Sequence, residues 1–153
     1  EAADVNVLEP GKTPRHTINP ALAFQNGKPF LAWNTPGGDN QPQAMLQAFL
    51  SVVEFGMNLQ QAAEAPTITS SSFHASMYPQ KAGDELTVPR MLADRIGQAL
   101  TAKGHKLKIS AVQPPYGQQP SGAGAVKMVL IDPKTGVMHG GVSPAKDDYV
   151  MGW

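Results

Sequence analysis

The chain has 153 residues, of which 41% are hydrophobic and 16% charged, and its twelve Lys and Arg balance twelve Asp and Glu. This length suits one compact domain with a core, and the balanced charge leaves no overall field to hold nucleic acid or an anionic membrane. Zero cysteines exclude disulfides, thiol catalysis and cysteine-ligated metal, and no apolar run approaches the roughly 18–20 residues of a membrane span.

Residues 1–19 hold Pro10, Gly11 and Pro14 and show neither a period of 2 nor one of 3.6, so they read as an extended lead-in to a domain at 20–153. Two short apolar runs, at 21–25 and 28–35, flank Asn26-Gly27. That dipeptide supplies the two positive φ angles of a type I′ turn and predicts a β-hairpin. The stretch Pro29-Phe30-Leu31-Ala32-Trp33 is apolar on both faces, which predicts a strand buried between two layers. After the turn at Thr35-Pro36-Gly37-Gly38, Asn40 with Gln43 fits a capping box. Met45, Ala48, Phe49, Val52 and Val53 then follow in one helical stripe that Gly56 ends as the C′ residue. Asn58 with Gln61 repeats the capping pattern for a short helix that stops before Pro66.

Residues 67–72 read as an edge strand and residues 86–88 as another. Pro89 opens a third helix with Leu92, Ile96, Ala99 and Leu100 inward and Gly104 at its end. Alternation of Leu107, Ile109 and Ala111 with Lys108 and Ser110 predicts a half-exposed strand. Residues 113–124 form a Pro/Gly-rich loop, and runs at 125–131 and 137–142 flank a second hairpin turn at 132–136. The fold class is α+β, in layers.

Few positions carry chemistry by spacing. His16, His74, His105 and His139 lack metal-binding spacing; His105 fits a contact with a helix C-terminus. Gln113-Pro114-Pro115-Tyr116 reads as a rigid loop, and Ser70-Ser71-Ser72 lacks the elbow of a nucleophilic serine. The segment from Trp33 to Gln41 differs. A strand, two adjacent glycines and a helix start in succession allow close approach to the backbone and attract negative charge. An oxyanion hole, a phosphate cradle without the usual phosphate-binding motifs, and a plain strand–helix connection all stay open on local grounds.

Several blocks in order carry a resemblance: Pro10-Gly11-Lys12-Thr13-Pro14, Asn19-Pro20-Ala21, Thr35-Pro36-Gly37-Gly38-Asp39, Glu54-Phe55-Gly56-Met57-Asn58-Leu59-Gln60-Gln61-Ala62, and Ala65-Pro66. In this order and spacing the chain resembles the second half of the small, catalytic subunit of the γ-glutamyltranspeptidase family. Its ending, Ser143-Pro144 through Asp147-Asp148 to Gly152-Trp153, is similar to that family's C-terminus. The resemblance implies part of the four-layer α-β-β-α sandwich of N-terminal-nucleophile hydrolases and a precursor that cleaves itself. It also implies a newly exposed Thr that attacks a γ-glutamyl amide with its own α-amino group as base. No cofactor is called for.

Carried onto this sequence, the resemblance makes Gly37 and Gly38 the oxyanion hole. Where γ-glutamyl-specific members have a Ser-Ser pair for the substrate's α-carboxylate, this chain has His16 and Thr17. One lost hydrogen bond to a carboxylate is worth about 1.5–3 kcal/mol, so another short acyl group becomes an alternative, with Arg15 as a replacement anion anchor. Asp39 follows the glycines as in the acylase-like and amidohydrolase-like branches, which implies a substrate-binding place; it also fits a plain helix-start charge. The chain begins at Glu1 and matches no nucleophile block. The expected partners are therefore the rest of the small subunit, with its Thr, and the large subunit of the same precursor, with this chain inert alone. A non-catalytic scaffold subunit is the remaining alternative. Relatives in bacteria imply a periplasmic or secreted setting, with the cytoplasm also open.

Overall fold

A computed structural model of the chain describes residues 7–14, 16–76, 80–110, 125–144 and 149–152. After residues 7–14 and 16–20, which belong to no helix or strand, β1 (Ala21–Gln25) and β2 (Lys28–Asn34) pair antiparallel. Their turn has φ 52° at Asn26 and φ 75° at Gly27, the two positive angles that the dipeptide supplies. A 3-10 turn (Gly38–Asn40) leads into α1 (Gln41–Val53), followed by α2 (Leu59–Glu64) and β3 (Thr69–Ser70). The remaining elements are β4 (Glu85–Pro89), α3 (Arg90–Ala102), β5 (Lys106–Ser110), β6 (Lys127–Ile131) and β7 (Met138–Val142).

The described strands form two sheets. One has four strands in the order β1-β2-β6-β7, all antiparallel, and the other has three in the order β3-β4-β5. In the smaller sheet β4 and β5 run parallel, joined by α3 as the crossover that parallel strands require.

Among the described residues, helices pack on one side only of the larger sheet. Helices α1 and α2 bury Ala44, Ala48, Leu59, Ala62 and Ala63 against Leu31, Val126 and Met128. Alanines at these helix positions let the backbone approach the sheet closely. Gly141 of β7 serves the same end, because a Cβ there would stand 2.5 Å from the Leu59 carbonyl carbon. Asn58 and Gln61 form the expected capping box, Asn58 Oδ1 accepting from Gln61 N at 2.9 Å and Gln61 Oε1 from Asn58 N at 3.0 Å.

Several expectations are corrected. Strand β2 is not buried on both faces: Leu31 is fully buried, whereas Pro29 and Ala32 are exposed, because the described residues cover only one side of the sheet. Asn40 makes no side-chain cap to α1, since the preceding 3-10 turn holds it at helical φ and ψ, and Gln43 bonds elsewhere. Val53 is exposed at the end of its stripe, and Gly56 (φ 64°) lies two residues beyond the cap residue Glu54 rather than at C′. In α3 the buried position is Gly97, against Leu107, while Ile96 and Ala99 face outward. The edge strand is two residues, 69–70, rather than 67–72. Ile109 in β5 is exposed, so the expected alternation holds at Leu107 but not there. His105 meets the end of α3 through its backbone N–H, which donates to Leu100 O at 3.2 Å. Ala111 and the loop at 113–124 lie outside the described residues.

Candidate active site

The end of β2 and the start of α1 are locked together by Trp33. Its indole Nε1 donates to Met45 O at 3.1 Å, and its ring stacks on Phe49 with centroids 5.1 Å apart and planes 15° apart. A buried indole needs such a partner for its N–H. With strand and helix fixed, residues 35–40 must reverse the chain within a short span. Thr35 is buried, and the reversal falls on Gly37 (φ 139°, ψ 22°) and Gly38 (φ 54°). Both angles lie where a Cβ is strained, so both positions need glycine.

The carbonyls of this turn are used internally: Gly37 O accepts from Asn40 N at 3.1 Å, and Gly38 O from the Gln41 N–H. The first N–H groups of a helical segment have no intrahelical acceptor. Among the described residues, the N–H groups of Gly37 and Gly38 make no hydrogen bond. Gly38 is exposed, and a Cβ built on it meets nothing within 4 Å.

Gly38 opens onto a cleft of about 890 Å³ made from three segments far apart in sequence. One wall is residues 16–19, the second is Gly38, Asp39 and residues 41–43, and the third is Phe73, His74 and Ser76. Of the residues singled out from sequence, His16, Thr17, Gly38 and Asp39 therefore come together. Gly37 adjoins the cleft through Gly38 without lining it, and Arg15 lies outside the described residues.

Asp39 is engaged by the third wall. Its Oδ2 accepts from the Ser76 N–H at 2.9 Å, and its Oδ1 accepts from the Ser76 hydroxyl. The sequence offered Asp39 as a helix-start charge or a substrate ligand; the structure adds a contact with a segment 37 residues away. Segment 71–76 is folded back on residues 81–83. Gly83 N donates to Ser71 O at 2.8 Å, Ala75 N to Lys81 O at 3.0 Å, and His74 bridges Ala82.

Glutamine amides of α1 reach backbone groups far along the chain, and those of Gln41 and Gln43 lie in the cleft lining. Gln41 Nε2 donates to Thr17 O at 3.0 Å. Gln43 brackets Ser70, donating to its carbonyl at 3.2 Å and accepting from its N–H at 2.7 Å. One turn later Gln47 does the same to Ile68, at 2.8 and 3.0 Å. In effect two side-chain amides on α1 replace a neighbouring strand for β3. Sequence reasoning missed Gln41, Gln43, Phe73, His74 and Ser76. The available signal was the Gln-Pro-Gln start of α1 with Gln47 one turn on, which places amides along the helix without naming their acceptors. Among the described residues no group of three His, Asp or Glu side chains is placed to hold a metal ion, and no helix is long and apolar enough to cross a membrane.

Comparison with known proteins gives the family and the fold. The family model described as gamma-glutamyltranspeptidase matches residues 1–153. A glutathione hydrolase-like YwrD proenzyme of Bacillus subtilis is 30% identical over 148 residues, covering 97% of this chain but 26% of that protein. The chain thus spans about a quarter of the length of that curated relative. A cephalosporin acylase from Bacillus halodurans superposes with a TM-score of 0.75 at 30% identity, over 97% of this chain and 24% of the other. A γ-glutamyltranspeptidase from Helicobacter pylori superposes with a TM-score of 0.67 at 27% identity, over 94% of this chain and 68% of the other. The α+β layering is therefore that of the N-terminal-nucleophile hydrolase sandwich, to which the described residues contribute a helical layer packed on one sheet. On the match along its whole length, this chain belongs to the γ-glutamyltranspeptidase family.

Proposed function

We propose that this chain supplies the oxyanion hole and part of the acyl pocket of an acyl-transferring or amide-hydrolysing enzyme whose nucleophile lies outside it. The observation that carries the reading is the pair of successive positive-φ glycines with unengaged N–H groups at the mouth of a cleft. In this reading an N-terminal Thr from the preceding part of the small subunit attacks the amide carbonyl carbon, and its own α-amino group accepts the hydroxyl proton. The carbonyl oxygen gains negative charge, and the amides of Gly37 and Gly38 stabilise it. When the tetrahedral intermediate collapses, the C–N bond breaks and the amine leaves with the proton. The acyl ester that remains passes to water or to an amino acceptor. Such fixed donors cost no reorganisation during the reaction, and losing one typically costs about 2.7–4 kcal/mol of barrier. No cofactor enters this chemistry.

The acyl group is γ-glutamyl or a related short acyl chain held by the wall of residues 16–19, with Arg15, His16 and Thr17 as its anion-binding side and Asp39 beside the glycines. A second reading, an acylase or small-amide hydrolase of glutaryl type, is favoured by His16 and Thr17 standing in place of two serines. The likeness to a cephalosporin acylase supports it too. Residues 1–19 act as a lead-in that brings this wall to the cleft, and 20–153 form an incomplete domain. Its missing layers come from the rest of the small subunit and from the large subunit of one precursor, so this chain by itself is inactive. A periplasmic or secreted location fits such a precursor.

The test uses the full-length, self-processed protein. Incubation with γ-glutamyl-p-nitroanilide and glutaryl-p-nitroanilide, followed by intact-mass analysis, should show an acyl adduct on a Thr-initiated chain. The anilide that forms it identifies the acyl class. Gly38→Ala puts an alanine at φ 54°, where it costs about 1–2 kcal/mol, so the turn relaxes and the N–H moves. A loss of about 10²-fold in kcat with little change in KM is expected. Absence of any adduct, with neither anilide cleaved, would favour the scaffold reading instead.

A further inference from the structure

The cleft's first wall has no secondary structure of its own, since residues 16–20 belong to no helix or strand. Its position relative to the glycine turn must therefore come from a cross-contact. Gln41 provides one: it is buried at 8% exposure, follows the 3-10 turn directly, and donates Nε2 to Thr17 O at 3.0 Å. A buried amide that donates to a carbonyl 24 residues away spans the floor between the wall and the turn. Its backbone N–H, meanwhile, bonds Gly38 O, so one residue grips both sides.

We propose that Gln41 is a positioning residue that fixes the distance between the Gly37-Gly38 turn and the His16-Thr17 wall, and so governs how the far end of the acyl chain is recognised. The inference rests on reading this cleft as the acyl site. Its mechanism is separate from the chemistry, however. Gln41 holds the wall through Thr17's backbone, while the glycine φ angles are set by the turn itself. Loss of the Gln41 amide lets the wall drift but leaves the two N–H donors in place. Recognition of the acyl end weakens, and the step at the carbonyl persists.

The experiment compares Gln41→Glu and Gln41→Leu with Gln47→Leu in the full-length, processed protein. Glu keeps the size of Gln, and at a pH where it is ionised its carboxylate cannot donate to the Thr17 carbonyl, so both Gln41 variants should behave alike. A lost hydrogen bond to a wall that stays folded is expected to raise KM for whichever anilide the wild type cleaves by about 3- to 10-fold, with kcat within about 2-fold. Gln47→Leu breaks the Ile68 bracket one helical turn away from the cleft. It should lower the melting temperature without moving KM. An unchanged KM in both Gln41 variants, or equal losses in kcat with no shift in KM, overturns the positioning role while wild-type turnover leaves the acyl-transfer reading standing. A KM rise in Gln47→Leu equal to that in the Gln41 variants also overturns it, because general loosening then explains the effect. A wild type that forms no acyl adduct overturns the acyl-transfer reading and this inference with it.

Discussion

The two faces of the four-stranded sheet differ sharply. On one face Leu31 and Met128 lie at 0% and 2% exposure beneath α1 and α2. On the other, the row Leu22, Ala32, Val129 and Gly140 crosses all four strands in register, with Leu22 at 53% and Val129 at 41% exposure. The first face is complete within the described residues. Among the described residues the second has strand sequence without a cover, apart from Val150 against Gly140. An apolar face on a strand tells a reader that something belongs there, while the chain that supplies it need not be the same one.

The sharpest way to break this comparison is at the tight seam of the covered face. Gly141→Ala places a methyl group 2.5–2.7 Å from Leu59 main-chain atoms, which cannot swing away as a side-chain end could. A loss of about 3 kcal/mol or more is expected in chemical denaturation, as for severe overpacking. Leu31→Ala, at the centre of the same face, should cost about 2–5 kcal/mol by leaving a cavity. The matching change on the other face separates the two ideas of what lies there. In the full-length protein Val129→Glu should destabilise by at least about 2 kcal/mol if another layer covers the sheet. A loss within about 0.5 kcal/mol would show that the face stays in water.

Smaller effects probe the covering helices and the far hairpin. Asn58→Ala removes the reciprocal cap of α2 and should cost about 1 kcal/mol, read as a lower melting temperature. At the β6–β7 turn, the Lys134 N–H and then the Thr135 N–H donate to Asp132 and hold its carboxyl below the usual carboxylate range. A carboxylate with a depressed folded-state pKa stabilises above its unfolded pKa, and this contribution is lost as pH falls through the folded value. Asp132→Asn should therefore flatten the acid limb of a melting-temperature profile below about pH 4 and leave the neutral plateau nearly unchanged. This is the weakest expected effect, because the carboxylate is exposed and screened.

Local signals hold where they act over a few residues. Asn26-Gly27 can satisfy a two-residue hairpin as few dipeptides can, and Asn58 with Gln61 closes its cap within one turn. The helical stripe of α1 failed only at its last member, and the second hairpin fell where Gly136 (φ 73°) allows it. Asn40 and Gln43 misled for a physical reason. The same spacing that makes a cap also leaves Gln43 free to bracket Ser70, and a long-range pair of bonds displaced the local one. The Ile96 and Ala99 positions misled because α3 packs against β4 and β5 through its glycine, so a narrower face is buried than the stripe suggested.

The amino-acid order alone determined the hairpin turns, the cap of α2, the glycine pair and the family. Each of these depends on residues a few positions apart, or on short blocks whose order is itself the signal. Only the tertiary structure decided what the cleft is made of. Residues 16–19, 38–43 and 73–76 meet because glutamine amides and the Asp39 carboxylate bond to distant groups. Those bonds have no period along the chain. An amide can pair with any backbone group that folding brings within about 3 Å, so its partner is fixed by the packed sheet and helices rather than by spacing.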